Sequence, residues 1–408
     1  MNIAMISYHT CPLASLEGKE TGGMNVYVLE LSRALARKGH HVDVYTRSHE
    51  KNDELITTPE PNLRVMHIPA GPQTQIPKQK LVRFIPEFVR AYESFVQNER
   101  ITYDVVHAHY YQSGLAAQAI GRPFVMSFHT LGLMKNLVAR DTLEREGARR
   151  IRAEFALMKH AKKIVASSEN DKSYMEYLYD VPKEKITVVS PGIDTTLFHP
   201  MEKKAARDHI HADHKHKIVL FVGRVEPLKG IDTLIYAIKI LKKQYPEETI
   251  CLWIVGGDVS EDTNRWPKTL QELSQLQKTL SLETSVRFVG RQKQTELPYF
   301  YNAADVVVMP SHYESFGMAA LEAIGCNVPV ITTNVTGISS LISDEYTSLI
   351  TSVNNPLLLA SQIQKVLTRA PATGQMTSLI SDHQWSNVAD RMLSVYKFDT
   401  IRKHAPIV

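Results

Sequence analysis

Cysteine is scarce in this chain. There are three in 408 residues, Cys11, Cys251 and Cys326, far apart and without any CxxC spacing. That argues against a disulfide framework and against a zinc site. Long apolar runs are also missing, and none approaches the roughly 20 residues needed to span a bilayer. Met1-Asn2-Ile3-Ala4-Met5-Ile6 is too short for a signal peptide and runs straight into a structural motif. Charge of one sign is missing too. With 47 basic and 43 acidic residues the net charge is +4, too mild over this length to point to nucleic acid, yet compatible with a small anionic substrate. There is no repeat, no low-complexity tract and no evident metal-ligand cluster. These absences together fit a reduced, cytoplasmic enzyme.

What is present is a strand–helix alternation that begins twice. Asn2–Ser7 is a buried-strand-like run, followed by a loop carrying Gly18 and Gly22-Gly23. Met24 to Lys38 then reads as an amphipathic helix closed by Gly39. Further strands fit His41–Thr46, Leu63–Ile68, Val105–Ala108, Phe124–Phe128, Lys163–Ala166 and Ile186–Val189. The pattern restarts at Ile218–Val222, with a helix from Ile231 and strands at Ile250–Val255, Val286–Val289, Val306–Met309 and Val328–Thr332. Such alternation predicts parallel sheets covered by helices on both faces. A chain this long suits two domains. Pro191-Gly192 and Phe198-His199-Pro200 place the linker near 192–200. The expected division is 1–195 and 196–382, with a helix over about 383–408 packing back on the first domain. The fold class is α/β, two Rossmann-like doubly wound domains facing a cleft, where strand ends and helix N-termini favour phosphate.

Five groups of residues carry candidate chemistry. Glu314-Ser315-Phe316-Gly317 follows a strand and is read as starting a helix, with Glu322 eight residues on. Glu314 is expected on the loop and Glu322 two turns in; eight residues are just over two turns, so both carboxylates can face one side. The amides of Phe316 and Gly317 at a helix N-terminus suit a diphosphate. The plain alternative is a solvated helix, but Glu322 stands in an apolar setting where a carboxylate needs a partner. The second group, Gly223-Arg224-Val225-Glu226-Pro227-Leu228-Lys229-Gly230, puts two cations at a strand end, where Arg224 and Lys229 could neutralise a leaving diphosphate. Alone it would be an ordinary basic loop. Gly22-Gly23 could admit a ligand close to backbone or simply make a turn. His107 reads best as a satisfied core histidine; His107-x-His109 lacks a third zinc ligand. His129, closing an apolar strand, reads as functional. Lastly, Lys78, Lys135, Arg149 and Arg150 are scattered cations that singly would be solvated surface charges.

Together these motifs resemble family 4 of the retaining glycosyltransferases, with its two-domain B-type fold, over essentially the whole chain. Within the family, Ser7-Tyr8-His9-Thr10, Thr21 to Val28, His107 to Tyr110, His129-Thr130-Leu131 and Lys135-Asn136 are similar to the branch that transfers N-acetylglucosamine to inositol phosphate. Sucrose-phosphate synthases look similar in the same places, and share Pro77-Lys78 and Arg149-Arg150. The resemblance implies that Arg224 and Lys229 hold the donor diphosphate, Glu322 the ribose, and that Glu314 and His129 meet the transferred sugar. Gly23, Arg291, Phe316 and Gly317 would complete the donor site. His9, Asn25, Lys78, Tyr110, Thr130, Lys135 and Arg150 would form the acceptor site. Asn25 favours the inositol-phosphate branch, because the other carries glutamine there.

Three places depart from the family: Asn334-Val335-Thr336-Gly337 stands for a Gly-Gly pair and a Glu, 344–348 lacks a loop glycine, and Asn327 replaces a helix-ending glycine, a position Asn tolerates. The implied reaction is retaining transfer of a hexose or N-acetylhexosamine from a nucleotide diphosphate sugar, UDP in the first instance, to a phosphorylated polyol or sugar. No metal and no cofactor are expected. The partners are the donor and a phosphorylated small-molecule acceptor; nucleic acid and a membrane span are not expected, and a homodimer is left open. The rivals are a sucrose-phosphate-synthase-like transferase to fructose 6-phosphate, a transferase building a cell-surface glycan, a two-carboxylate hydrolase, disfavoured because Glu314 and Glu322 share one element, and a non-catalytic sugar-nucleotide binder.

Overall fold

The computed structural model describes residues 1–14, 22–51, 53–142, 144–260, 262–340, 342, 349–368 and 377–397, without the side chains of 349, 377 and 378. Gly18, Thr21, the 344–348 loop and the expected helix beyond Lys397 lie outside the described residues. Contacts divide the chain into two compact units. One comprises Met1–Ala14, Gly23–Gly192 and the stretch from Trp385; the other comprises Ile193–Gln384 together with Gly22.

The first unit is built on β1 (Asn2–Ile6), β2 (His41–Arg47), β3 (Ile56–Glu60), β4 (Leu63–Ile68), β5 (Val105–His109), β6 (Phe124–Ser127), β7 (Lys163–Ala166) and β8 (Ile186–Val188). Their order is β3-β4-β2-β1-β5-β6-β7-β8. All pairs are parallel except β3 with β4. The second unit holds β9 (Lys217–Val222), β10 (Ile250–Val255), β11 (Val286–Gly290), β12 (Val306–Met309), β13 (Val330–Thr333) and β14 (Leu349–Thr351), in the order β11-β10-β9-β12-β13-β14, all parallel. Each expected strand is present to within two residues. β3 and β14 were not foreseen. β3 is an edge strand of sequence Ile-Thr-Thr-Pro-Glu, half exposed and with Pro59 inside it, so it lacks the apolar signature of its neighbours.

The apolar runs are continuous because each sheet is covered on both faces. In β9, Ile218, Leu220 and Val222 pack on one side with Phe316, Ala320 and Leu321. Val219 and Phe221 pack on the other with Ile231, Leu234 and Ile238 of the helix Ile231–Gln244. β12 splits in the same way, Val307 and Met309 to the first side and Val306 and Val308 to the second. In the first unit the helix Gly23–Arg37 is joined by Trp385–Tyr396: Trp385 meets the Tyr27 ring edge-on at 5.6 Å, and Lys38 pairs with Asp390 at 2.8 Å.

Both sheets reverse strand order beside their first strand, β1 next to β5 and β9 next to β12. At such a point the two connecting loops leave in opposite directions, and a crevice opens at the carboxyl ends of the strands. The residues that follow β1, β5 and β6, and those that follow β9 and β12, are the candidate functional residues.

Candidate active site

In the first unit two residues at these strand ends hold backbone conformations that side chains disfavour: Tyr110 after β5 (φ 75°) and His129 after β6 (φ 62°). Strain of this kind costs on the order of 1–3 kcal/mol and concentrates at functional sites. It is held in place by Tyr110 N–H donating to the Ser127 carbonyl at 2.8 Å. His129 Nε2 lies 3.0 Å from His109 Nδ1, and the Tyr27 ring meets it edge-on. Burial drives the His129 pKa down to about 3, so the imidazole is neutral at neutral pH. His107 is fully buried between the Tyr396 hydroxyl (2.7 Å) and Ser127 Oγ (2.9 Å), a satisfied core histidine as expected. His9 packs against Tyr110 with the rings tilted and their centroids 4.6 Å apart. Its pKa falls to about 3, first through burial and then through Lys78, His49, His129 and Arg150.

The scattered cations converge on one another. Arg150 is 4% exposed and uses every arm of its guanidinium. Nε donates to Glu154 at 2.7 Å, Nη2 to the Thr130 carbonyl and hydroxyl at 2.9 and 3.1 Å, and Nη1 pairs with Glu146 at 2.7 Å. Its charge also lies 5.0 Å over the Tyr110 ring. Lys135 pairs with the same Glu146 oxygen at 2.5 Å. Burial works to raise the Glu146 carboxyl, and Arg150, Lys135 and Lys78 outweigh it, holding it below its usual range. Lys78 begins the 3-10 turn Lys78–Phe84 and accepts Gln112 on its carbonyl at 2.6 Å. Arg149 is exposed and outside this group. Asn25 is 2% exposed, and its amide donates to Thr10 Oγ1 and to the Cys11 carbonyl, both at 2.7 Å, so its donor end is engaged in shaping the loop after β1. Gly23 is the exposed first residue of its helix.

In the second unit the loops after β9 and β12 are bound together. His312 N–H donates to the Leu228 carbonyl at 2.8 Å. Gly230 (φ 66°) lies so close that a Cβ there would come within 2.2 Å of the Pro310 carbonyl oxygen. This contact brings Lys229, 11% exposed at its side chain, into an ion pair with Glu314. Arg224 pairs with Glu226 at 2.8 Å with half its side chain exposed, and Arg291, after β11, pairs with Asp258 at 3.0 Å.

Glu314 stands on the loop before the helix, as expected: it bridges to Thr336, and Gly317 (φ 107°) turns the chain into the helix Met318–Gly325. The common side expected for the two carboxylates is corrected. Glu314 and Glu322 are therefore not two turns of one helix: the first meets Lys229, and the second accepts from the Tyr301 hydroxyl at 2.7 Å. Tyr301 is the partner that the apolar setting of Glu322 required, and burial lifts that carboxyl to about 7 against the Tyr301 hydrogen bond. Phe316 is 3% exposed in the core, so it presents only backbone. Its carbonyl accepts from Ile338 N–H at 2.7 Å, which seats the divergent 334–340 segment on the Glu314 loop. Asn327 has the left-handed φ of 59° expected of it.

The sequence reading does not single out Glu146 or Glu154. For Glu154 the signal was the spacing from Arg150, since opposite charges four apart meet on a helix face; Glu146 lies before that helix and gave no such signal. Among the described residues no three His, Cys, Asp or Glu are grouped to hold a metal, and no helix is long and apolar enough to cross a membrane.

Comparison with known proteins gives the family. Residues 21–197 match the family described as Glycosyltransferase Family 4, and residues 202–380 match Glycosyl transferases group 1. The fold and both matches define a glycosyltransferase of the B-type fold, a hexosyltransferase. The chain belongs to glycosyltransferase family 4. It is 31% identical to the D-inositol 3-phosphate glycosyltransferase of Nocardiopsis dassonvillei, over 99% of this chain and 96% of that one. It is 34% identical to the protein of the same name from Corynebacterium aurimucosum, over 97% and 96%. Among solved structures, sucrose-phosphate synthase from Thermosynechococcus elongatus superposes with a TM-score of 0.87 at 30% identity, covering 97% of this chain and 98% of that one.

Proposed function

We propose that the chain is a retaining, metal-independent glycosyltransferase that uses a nucleotide diphosphate sugar, UDP-linked, and a phosphorylated polyol, inositol phosphate ahead of fructose 6-phosphate. The observation that carries this reading is the meeting of Lys135 and Arg150 on a single carboxylate, Glu146, with Lys78, from a further segment, acting on it electrostatically. Cations gathered this way are the chemistry of a phosphate site. Thr130 and Tyr110 meet Arg150, and His9 packs on Tyr110; Asn25, which shapes the loop after β1, is assigned to the same acceptor site. The inositol phosphate named for the curated relatives supports the choice of polyol.

In the second unit Arg224 and Lys229 are assigned to the donor diphosphate, with Arg291 and the backbone at Phe316-Gly317. Glu322 is assigned to the ribose hydroxyls, Glu314 and the neutral His129 to the transferred sugar, and Gly23 to close backbone approach. The acceptor hydroxyl attacks the anomeric carbon on the face from which the diphosphate departs, and a leaving phosphate oxygen takes the hydroxyl proton. Arg224 and Lys229 stabilise the charge that develops on the diphosphate, so no protein nucleophile and no metal is invoked. The protein is taken to act in the cytoplasm.

Mass spectrometry of products from a matrix of sugar nucleotides and acceptors tests this reading. UDP-sugar with inositol phosphate, in excess EDTA, should give a phosphorylated glycoside. Product only from unphosphorylated acceptors, or activity abolished by EDTA and restored by magnesium, would contradict it.

A further inference from the structure

The carboxylate at the centre of the cation group has no part in the reaction proposed above. Glu146 sits in the non-helical stretch between the helices Gly132–Val138 and Ala148–His160. Its backbone is clamped: Asn136 Oδ1 accepts its N–H at 2.6 Å, and Asn136 Nδ2 donates to its carbonyl at 3.1 Å. Only its side chain is left to choose a position, and 19% of that side chain is exposed.

The three arms of Arg150 differ in kind. Nε is fixed to Glu154, which is fully buried and also accepts Gly132 N–H at 2.9 Å and the Tyr179 hydroxyl at 2.5 Å. Nη2 is fixed to Thr130. Nη1 alone is matched to a partly solvated carboxylate on a loop, and that carboxylate also holds Lys135.

We propose that Glu146 is a specificity-determining residue whose carboxylate occupies the position of the acceptor's phosphate on Lys135 and Arg150, and is displaced when that phosphate binds. The inference rests on the phosphate-site reading above. A phosphate dianion brings about two charges where Glu146 brings one, so it wins the exchange. An uncharged polyol cannot displace Glu146, and finds both cations already neutralised. The residue thus lowers affinity for the right acceptor somewhat and rejects the unphosphorylated one. Glu154, buried and doubly held, keeps Arg150 aimed throughout.

The test is binding of inositol 3-phosphate, inositol and inorganic phosphate to the full chain by calorimetry, for wild type, Glu146→Gln and Glu146→Ser, with acceptor and donor KM measured alongside. Removal of the competing charge should lower the Kd of inositol 3-phosphate and of inorganic phosphate by about tenfold. It should lower the acceptor KM in step and leave the donor KM unchanged. A residue that merely holds the loop would give the opposite, a higher Kd for inositol 3-phosphate in both variants. If wild type prefers inositol 3-phosphate to inositol but neither variant binds it more tightly, the displacement is wrong and the phosphate site stands. If wild type binds inositol and inositol 3-phosphate equally, the phosphate site and the displacement both fail.

Discussion

Each unit buries one paired cation, Arg150 in the first and Lys229 in the second, but the second also carries a candidate cation in solvent. In the first, the key cation is inside: Arg150 is 4% exposed and anchored to a carboxylate that is wholly buried. In the second, Arg224 is half exposed on a loop, and the loop's shape comes from backbone, from Gly230 pressed against Pro310. The first arrangement fixes a guanidinium before any ligand arrives, at the cost of desolvating two charges. The second leaves the cation free to follow a ligand and spends its rigidity on the loop. A small phosphate acceptor and an extended diphosphate donor would call for this difference.

Breaking the first arrangement should have the largest effect. Arg150→Ala leaves Glu154 buried without its cation, a change that costs roughly 3–5 kcal/mol. Thermal denaturation should show a large loss of stability. Any folded fraction should have a strongly raised acceptor KM and a nearly unchanged donor KM. A normal melting temperature would show that the buried pair is not the anchor described.

Gly230→Ala comes next. The left-handed φ and the 2.2 Å approach to the Pro310 carbonyl leave no room for a methyl group, so the loop must shift, at a cost of more than about 1 kcal/mol. Lys229 should then lose its place beside Glu314, and turnover should fall while acceptor affinity, which we assign to the first unit, is retained. Equal turnover in the variant would remove the loop contact from the explanation.

Glu322 offers a subtler test through pH. Its folded pKa, about 7, lies above its ordinary value of 4.5. The folded state therefore binds the extra proton, and stability falls as pH rises from 4.5 to 7. Wild type should lose on the order of 2–3 kcal/mol over that window relative to Glu322→Gln, which carries no such proton. Parallel stability curves for the two would place the raised pKa elsewhere. Nucleotide affinity in Glu322→Ala should fall by an amount on the order of 1.5–3 kcal/mol, whereas Glu314→Ala should mainly lower turnover.

The smallest stability effect belongs to Arg224→Ala. Its ion pair with Glu226 is exposed, and such pairs contribute about 0–1 kcal/mol. The melting temperature should hardly move while the donor Kd rises. A large drop in stability would mean that the two units are alike after all.

Much of this contrast was legible before any coordinates. The strands announced themselves because sheets buried on both faces need unbroken apolar runs, as in Ile218–Val222. β3 did not, being a half-exposed edge strand containing a proline. Glu322 advertised its need for a partner, but not that Tyr301, from a different helix, supplies it. The common side expected for Glu314 and Glu322 failed because the eight residues between them are not all helical: Gly317 separates the extended segment at Glu314 from the helix that carries Glu322. Most opaque was the meeting of Lys78, Lys135 and Arg150. Separately each reads as a surface charge, and only the fold brings the connection from β4 to β5, which carries Lys78, to the connection from β6 to β7, which carries Lys135 and Arg150.

The central claim, that the first unit selects a phosphorylated acceptor, is tested most directly with Lys78, which is less embedded than Arg150. The measurement is kcat/KM for inositol 3-phosphate relative to inositol, in wild type and in Lys78→Ala, at saturating UDP-sugar. Wild type should prefer the phosphorylated acceptor strongly, and Lys78→Ala should lose most of that preference with its donor KM unchanged. Equal use of the two acceptors by wild type, or an undiminished preference in Lys78→Ala, would contradict the claim.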